Sequence, residues 1–540
     1  MKDSGYVKVS SYEGRKGEVK KVVLLYSGGL DTSVLLKWIQ EEYNAEVIAL
    51  TIDIGQLTDD LNEIKKKAMK LGAVKAIVVD AKDEFAEEYI AKGIKANASY
   101  QGHYHLSTPI GRPLLAKWAV KIAAQEGADC IAHGCTGKGN DQVRLEGTAL
   151  ALNPDIKIIA PVREWSMGRD EEIAYAKKHG IPVRQTSAKP YSYDDNMWGV
   201  TGEGGEIENP ALIPPLENIL LLCNTPDKAP DKEEVITLDF VKGLPVSVNG
   251  KPDSLANIIL KLNKIGAKHG VGVTHHIEDR VVGLKVRGLY EAPAAEIIIT
   301  AHRDLEKYVS TRQENEFKGL VDTKWAYLCY GALWYEPLFN SLNAFIDHMN
   351  LKVTGTVTLR LYKGRAEAVA VQTPNTIFEE KLATFNASAA FNQNVSAGFI
   401  ELYTLQMRLA QRSERTVLLS IGKRSNKAKL LSTIKTLAKL KYKLYATYKT
   451  HKYLTSRGVE AILVQKISQP ALKPNLLDLL HANRFDIIIN IPTGTKEKNN
   501  EKTDGQVIRE YALRFNTPLI TTISVAKQLA EKLAAATLRS

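Results

Sequence analysis

Through residue 180 the chain alternates between two hydrophobic patterns. Short apolar runs at 21–26, 46–53, 76–80, 129–133 and 156–160 show no polar alternation, as expected of strands buried on both faces. Between them lie amphipathic segments at 32–43, 59–71, 113–125 and 168–179, which read as helices. Strands and helices in turn predict an α/β fold: a doubly wound parallel sheet with ligands at the carboxyl ends of its strands. Residues 1–19 read as a polar, poorly ordered leader, and 20–187 as the first domain. After Gln185 the pattern changes, and 191–196 and 201–205 read as a polar, Gly-rich loop. Strand-like runs at 234–241, 245–248, 351–362 and 365–371, mixed with helices, predict an α+β domain over 188–411 that ends in a helical segment. A charged linker, 412–415, then leads to a fresh α/β alternation over 416–540, the size of one independent domain.

A length of 540 residues fits two to four domains, and 44% hydrophobic with 25% charged residues is ordinary for a globular protein. No apolar run reaches membrane-spanning length, and Met1–Lys21 lacks a signal-peptide stretch. Cys130, Cys135, Cys223 and Cys329 show no Cys-x-x-Cys spacing, so buried free thiols in a reducing cytoplasm are expected, without a protein metal site. The net charge of +11 invites a nucleic-acid partner, but its distribution argues otherwise. Residues 416–540 hold 22 Lys/Arg and 8 Asp/Glu, a net +14, so the remainder is slightly acidic.

The run Leu25-Tyr26-Ser27-Gly28-Gly29-Leu30-Asp31-Thr32-Ser33 joins the first strand to the first helix. Its glycines let the backbone approach a ligand, and the free N–H groups of the helix start favour an anion. Ser27, Thr32 and Ser33 add hydroxyl donors, and Asp31 suits a magnesium ion on phosphate oxygens. The Walker lysine, which supports attack at the γ-phosphate, is absent. A lysine-free cradle of this kind resembles the PP-loop of the N-type ATP pyrophosphatases, in which pyrophosphate leaves after attack at the α-phosphorus. A second Gly-rich loop, His133-Gly134-Cys135-Thr136-Gly137-Lys138-Gly139-Asn140-Asp141, follows the fourth expected strand.

Together the two loops and their spacing resemble argininosuccinate synthase over about Lys20 to Arg412. That family joins citrulline and aspartate, cleaving ATP to AMP and pyrophosphate with magnesium. The resemblance implies ATP contacts at Leu25 through Ser33, Ile52 and Gly134, and citrulline contacts at Tyr104, Thr108, Asn140, Arg144, Ser192, Thr201, Glu203, Glu278 and Tyr290. It implies aspartate contacts at Thr136, Asn140 and Asp141, with Asp31 and Asp141 the candidate catalytic residues. Magnesium would arrive with ATP, and the assembly implied is a homotetramer. Pro109 departs from the family pattern, standing where a citrulline-binding serine is common. Two other readings stay open: a tRNA-modifying pyrophosphatase of the same type, and a nucleotide sensor with an inactive synthase part.

Residues 416–540 resemble a methylglyoxal-synthase-like regulatory domain, through Ala446-Thr447-Tyr448-Lys449-Thr450, Val464-Gln465-Lys466 and Ile488-Ile489-Asn490-Ile491-Pro492-Thr493-Gly494. The resemblance implies a small anionic effector held by Thr447, Thr450, Lys466, Asn490, Thr493 and Gly494. The catalytic Gly-Asp pair of the lyases is missing from residues 469–474, so lyase activity is not expected.

Overall fold

The computed structural model describes residues 6–57, 60–165, 169–182, 191–385, 390–411, 414–493 and 503–537. Two compact units divide between Phe385 and Asn386. Among the described residues no helix is long and apolar enough to cross a membrane.

The first unit is organised on a parallel sheet of β1 (Lys21–Leu25), β2 (Glu46–Asp53), β3 (Lys75–Asp80), β4 (Cys130–Ala132) and β5 (Lys157–Ile159), in the order β3-β2-β1-β4-β5. The order reverses between β1 and β4, so a crevice opens beyond their carboxyl ends. Both Gly-rich loops leave the sheet there. Residues Val22, Val23 and Leu24 of β1 are fully buried, as the unbroken apolar run requires.

Against this layer stand two antiparallel sheets. One contains β6 (Ser192–Asn196), β7 (Gly199–Glu203), β11 (Val273–Asp279) and β12 (Lys285–Glu291), in the order β11-β12-β7-β6. The other contains β8 (Glu234–Val241), β9 (Leu244–Val248), β10 (Lys251–Pro252), β13 (Gly355–Tyr362) and β14 (Arg365–Gln372). One large core joins Phe85, Ile110 and Trp198 with Ile258, Ile298 and Trp325, so the expected first and second domains share an interior.

Three expectations need correction. The leader's residues 6–19 are tied into the fold: Glu13 forms a parallel bridge with Ile158 of β5, and Glu13, Gly14 and Val19 are buried. The expected polar loop over 191–205 is a hairpin, with Ser192 paired to Glu203 and Asn196 to Gly199. Its polar side chains face a polar site instead of water, which removes the alternation that marks a strand. The helix expected from Pro113 begins at Ser107 and runs to Glu126. Pro109 sits in its first turn, where no backbone donor is required, and the Thr108 N–H is taken by the Tyr104 hydroxyl at 3.0 Å.

The second unit carries a parallel sheet of β15 (Thr416–Ile421), β16 (Lys443–Thr447), β17 (Ile462–Val464), β18 (Ile487–Ile491) and β19 (Leu519–Ile520), ordered β17-β16-β15-β18-β19. Short helices at Val395–Tyr403 and Leu405–Ala410 precede it, with Phe399, Leu402, Tyr403 and Met407 exposed. A helix at Asp504–Arg514, not expected from the pattern, lies before β19. Residues 412–413 of the expected linker and Gly494 lie outside the described residues.

Candidate functional site

The first Gly-rich loop turns directly out of β1. Gly28 has φ +78°, a left-handed conformation, and a Cβ there would meet Ile64 Cγ1 at 2.9 Å. The helix Leu30–Tyr43 starts after Gly29 with no side chain capping it, which leaves first-turn N–H groups for an anion. The Ser27 and Thr32 hydroxyls lie 3.1 Å apart at the surface of this turn. Ser33 points the other way: it is buried, donates to Gly29 O at 2.6 Å and lies 3.1 Å from the Tyr26 hydroxyl. The two side chains brace the turn from behind.

Beside this loop is a cavity of about 230 Å³, walled by Leu25, Tyr26, Ser27, Leu50, Ile52, Ile64, Arg112 and Asp194, among others. Its apolar residues suit a planar base, and Ser27 of the anion-binding turn is one of its walls. A second cavity of about 310 Å³ brings together every residue expected to bind citrulline or aspartate, from Tyr104 and Thr108 through Asp141 and Arg144 to Glu278 and Tyr290. These come from two helices, the turn at Tyr104 that precedes the first of them, the second Gly-rich loop and four strands. Gly134, expected to touch ATP, also lines the second cavity. A Cβ on Gly134 would lie 2.9 Å from Leu35 Cδ1, so glycine lets this loop close on the first helix.

The two cavities share Tyr193 and Asp194 as walls. At their junction Arg112 donates to Asp141 Oδ2 at 2.7 Å and also to Asp194. Arg144 Nη1 reaches the other Asp141 oxygen at 2.8 Å. Burial alone would raise the Asp141 carboxyl, but the two guanidiniums hold it well below the usual carboxylate range. For Asp194 burial prevails, and its carboxyl is raised despite Arg112.

A hydroxyl cluster lines one wall of the second cavity. Thr201 Oγ1 lies 3.1 Å from Thr108 Oγ1, 3.4 Å from Ser107 Oγ and 3.5 Å from the Tyr104 hydroxyl. The Tyr104 ring stacks on Tyr290 with centroids 4.1 Å apart. Burial pushes the Tyr104 phenol up to about 12, so it stays protonated as a donor. Cys135 is half-buried, not fully buried as expected, and its thiol is pushed up by burial; a thiolate nucleophile is disfavoured there.

Three participants carried no signal in the sequence pattern. Tyr330 accepts from Asn140 Nδ2 at 2.8 Å and donates to Glu278 Oε2 at 3.0 Å, while its carbonyl takes Arg144 Nε at 3.0 Å. Arg280 lies between Glu278 and Glu203 and pairs with both. Arg112 follows a glycine in the motif 104–113, but only the fold brings it to Asp141. Three buried polar groups of this region have no hydrogen-bond partner among the described residues: Arg112 Nε, Arg144 Nη2 and the Tyr290 hydroxyl. Such orphans are uncommon in a finished interior and mark where a polar ligand is received.

In the second unit the described effector residues lie at or just after the carboxyl ends of β16, β17 and β18. Thr450 is buried, and its hydroxyl accepts from Ile421 N at 3.1 Å and lies 3.4 Å from Thr447 Oγ1. Asn490, also buried, accepts from Arg509 Nη1 at 2.8 Å. Thr493 packs so closely on Gly422 that a Cβ there would lie 2.8 Å from its methyl. Lys466 is exposed, with its carbonyl taken by Asn475 Nδ2 at 2.8 Å. Lys427, not anticipated, is a buried cation whose ammonium donates to Gly422 O. Burial, then Lys449, lowers its pKa, and no ion pair holds it among the described residues.

Two family models match the first part of the chain: the arginosuccinate synthase N-terminal HUP domain over residues 21–182 and the arginosuccinate synthase C-terminal domain over 191–410. An MGS-like domain model matches 429–521. A protein named argininosuccinate synthase from Pyrococcus furiosus is 50% identical over 417 residues, covering 77% of this chain and all of that one. Another of that name from Carboxydothermus hydrogenoformans is 47% identical over 397 residues, 73% of this chain and 98% of the other. A solved U34-tRNA thiolase, NcsA from Methanococcus maripaludis, aligns with 33% of this chain and 64% of its own at 19% identity, but its TM-score of 0.21 carries no argument.

Proposed function

The chain belongs to the argininosuccinate synthase family, and on that premise we propose that it joins citrulline to aspartate in arginine biosynthesis, with ATP leaving as AMP and pyrophosphate. The observation that carries the reading is the pair of adjoining cavities, one beside a phosphate-binding turn and one polar, with Arg112 at their junction.

The chemistry follows from that placement. A ureido oxygen is a poor leaving group, and attack on the α-phosphorus makes it a good one, as a citrullyl-adenylate. The turn at 26–33 receives the departing pyrophosphate, with Ser27 and Thr32 as exposed donors. Magnesium, when bound, screens the phosphate charge, and Asp31 is the carboxylate of that turn suited to hold it. Arg112 lies where the α-phosphate must meet the ureido oxygen, so it stabilises charge that builds there. The aspartate amine then attacks the activated carbon. Asp141, held ionised between two arginines, is a weak base. It therefore orients the amine, and alignment supplies most of the catalysis.

Arg144 Nη2 and the Tyr290 hydroxyl await the polar ends of citrulline. The exposed apolar side chains at 399–407 support a homotetramer, checked by light scattering of the purified protein. The second unit is read as an effector site for a small anion, supported by Lys427, a buried cation with no ion-pair partner among the described residues, and by the Thr447–Thr450 hydroxyl pair. The deciding experiment incubates the protein with ATP, magnesium, citrulline and aspartate. AMP, pyrophosphate and argininosuccinate in equal amounts are expected. ADP with orthophosphate, or pyrophosphate release that depends on tRNA, would overturn the reading.

A further inference from the structure

The helix that follows β2 carries Lys65, Lys66, Lys67 and Lys70, a run that by itself describes a solvated face. The fold separates one of these lysines from the others. Asp60 caps the helix Leu61–Lys70, accepting from Asn62 N at 2.8 Å. Ile64 and Ala68, one turn apart, are buried, and Leu61 and Ile64 wall the cavity beside the first Gly-rich loop. The helix therefore lies against the turn at Gly28, where an added Cβ would meet Ile64. Lys67, one turn beyond Ile64, comes to the same side and donates from Nζ to Gly28 O at 2.7 Å. Lys66 instead pairs with Glu63 at 2.8 Å, and Lys65, Lys66 and Lys70 are exposed.

This contact sets the direction of a peptide group. In a trans peptide the carbonyl and the N–H that follows it point opposite ways. With Gly28 O held toward Lys67, the Gly29 N–H is directed to the other side, where it donates to Ser27 Oγ at 3.4 Å, and Ser27 is a wall of the cavity. The next carbonyl, Gly29 O, accepts from the Ser33 hydroxyl at 2.6 Å and from Ser33 N at 3.2 Å. Both glycine carbonyls are thus occupied within the protein. An anion on the turn meets N–H groups and hydroxyls, while the negative ends of those two peptides are turned away. Lys67 adds a full positive charge on the far side of the peptide that faces this anion.

We infer that Lys67 is the cation of the pyrophosphate turn: it fixes the Gly28–Gly29 peptide and supplies, from a separate helix, the positive charge that the loop's own sequence lacks. The inference rests on the reading that ATP leaves as AMP and pyrophosphate. Lys67 is a positioning residue, since the Gly28–Gly29 peptide stands between its ammonium and the anion. Its effect falls on the β- and γ-phosphates, and the nucleoside is held by other walls, Leu25, Leu50 and Ile52 among them.

The test titrates the full-length protein with inorganic pyrophosphate and, separately, with AMP, both with magnesium present. Lys67→Met keeps a long, helix-compatible side chain and removes the charge; the pyrophosphate Kd should rise about tenfold or more, as when a hydrogen bond to a charged group is lost. AMP lacks the β- and γ-phosphates and should bind within about twofold of wild type. Lys67→Arg keeps the charge and should recover most of the pyrophosphate affinity, while Lys66→Met should leave it unchanged. In turnover, Lys67→Met should lower kcat/KM for ATP about tenfold, with the KM values for citrulline and aspartate unchanged. Unchanged pyrophosphate affinity in Lys67→Met overturns the inference. So do equal losses for pyrophosphate and AMP, an arginine variant as weak as the methionine one, or a wild-type chain that binds no pyrophosphate. Failure of the wild-type enzyme to form argininosuccinate would instead remove the functional reading, and the pyrophosphate titrations would still report on Lys67.

Discussion

Arg112 and Asp141 form an ion pair, Nη2 to Oδ2 at 2.7 Å, where the two cavities of the first unit adjoin. The pair joins a residue of the helix Ser107–Glu126 to the first residue of the helix Asp141–Leu152. Replacing Arg112 by Gln removes the cation and leaves Asp141 with Arg144 alone. Loss of one charge-stabilising donor lowers kcat about 100-fold or more. Exchange of pyrophosphate into ATP, which needs citrulline but not aspartate, should fall with it. A loss confined to the aspartate-dependent step would place Arg112 elsewhere in the mechanism.

Tyr330→Phe leaves Asn140 Nδ2 without its partner and takes one donor from the Glu278 carboxylate, which keeps Arg280. An unpaired buried group costs about 1–3 kcal/mol, so the citrulline KM should rise about tenfold. Steady-state kinetics at saturating ATP and aspartate check this. A change in ATP affinity alone would contradict the position of Tyr330.

Gly28→Ala puts a side chain on a left-handed residue and within 2.9 Å of Ile64. The turn must then shift, and ATP binding should weaken by at least about tenfold, a strain of 1–3 kcal/mol. Fluorescence or calorimetric titration with a non-hydrolysable ATP analogue measures it. Citrulline binding, walled by other elements, should be retained.

Stability should depend on pH through Asp322. Burial raises its carboxyl to about 7, against the pull of Lys318, in a network where Lys318 also meets Glu306 at 3.0 Å and His302 lies 2.7 Å from Asn97. The folded state then holds a proton that the unfolded chain has released above its ordinary value of 3.8. Stability therefore falls as pH rises toward 7 and levels off above it. Melting temperature should drop between pH 5 and pH 8, with about 2–4 °C lost for each kcal/mol. Asp322→Asn should flatten that slope, and an unchanged slope would assign the effect to another group.

In the second unit, Lys427→Met and Lys466→Ala each remove one cation from the carboxyl end of the sheet. Titration calorimetry of the full chain with orthophosphate and with nucleoside monophosphates should show binding lost in both. Heat that persists in Lys427→Met would move the anion away from β15.

Much of the architecture was legible from local pattern. The apolar runs of β1 and β2 stand between helical segments, and each such run is buried whatever surrounds it, so period and length sufficed. The two Gly-rich loops were legible for the same reason, since the strand, turn and helix that build each one are contiguous. The hairpin Ser192–Glu203 was not, because its polar side chains face a site that only folding creates. The same holds for Tyr12, which looked like part of a solvated leader until β5 offered its edge.

What the chain determined by itself is the set of local elements and the chemistry of the turn at residues 26–33. The tertiary structure decided the rest: that Arg112, Asp194 and Tyr330, far apart in sequence, close around Asp141 and Asn140, and that Glu146 collects His133 and Arg163. The physical reason is range. A strand or an anion-binding turn is specified by neighbours a few residues away, whereas a buried charge is stable only where distant segments bring its counter-charges and donors.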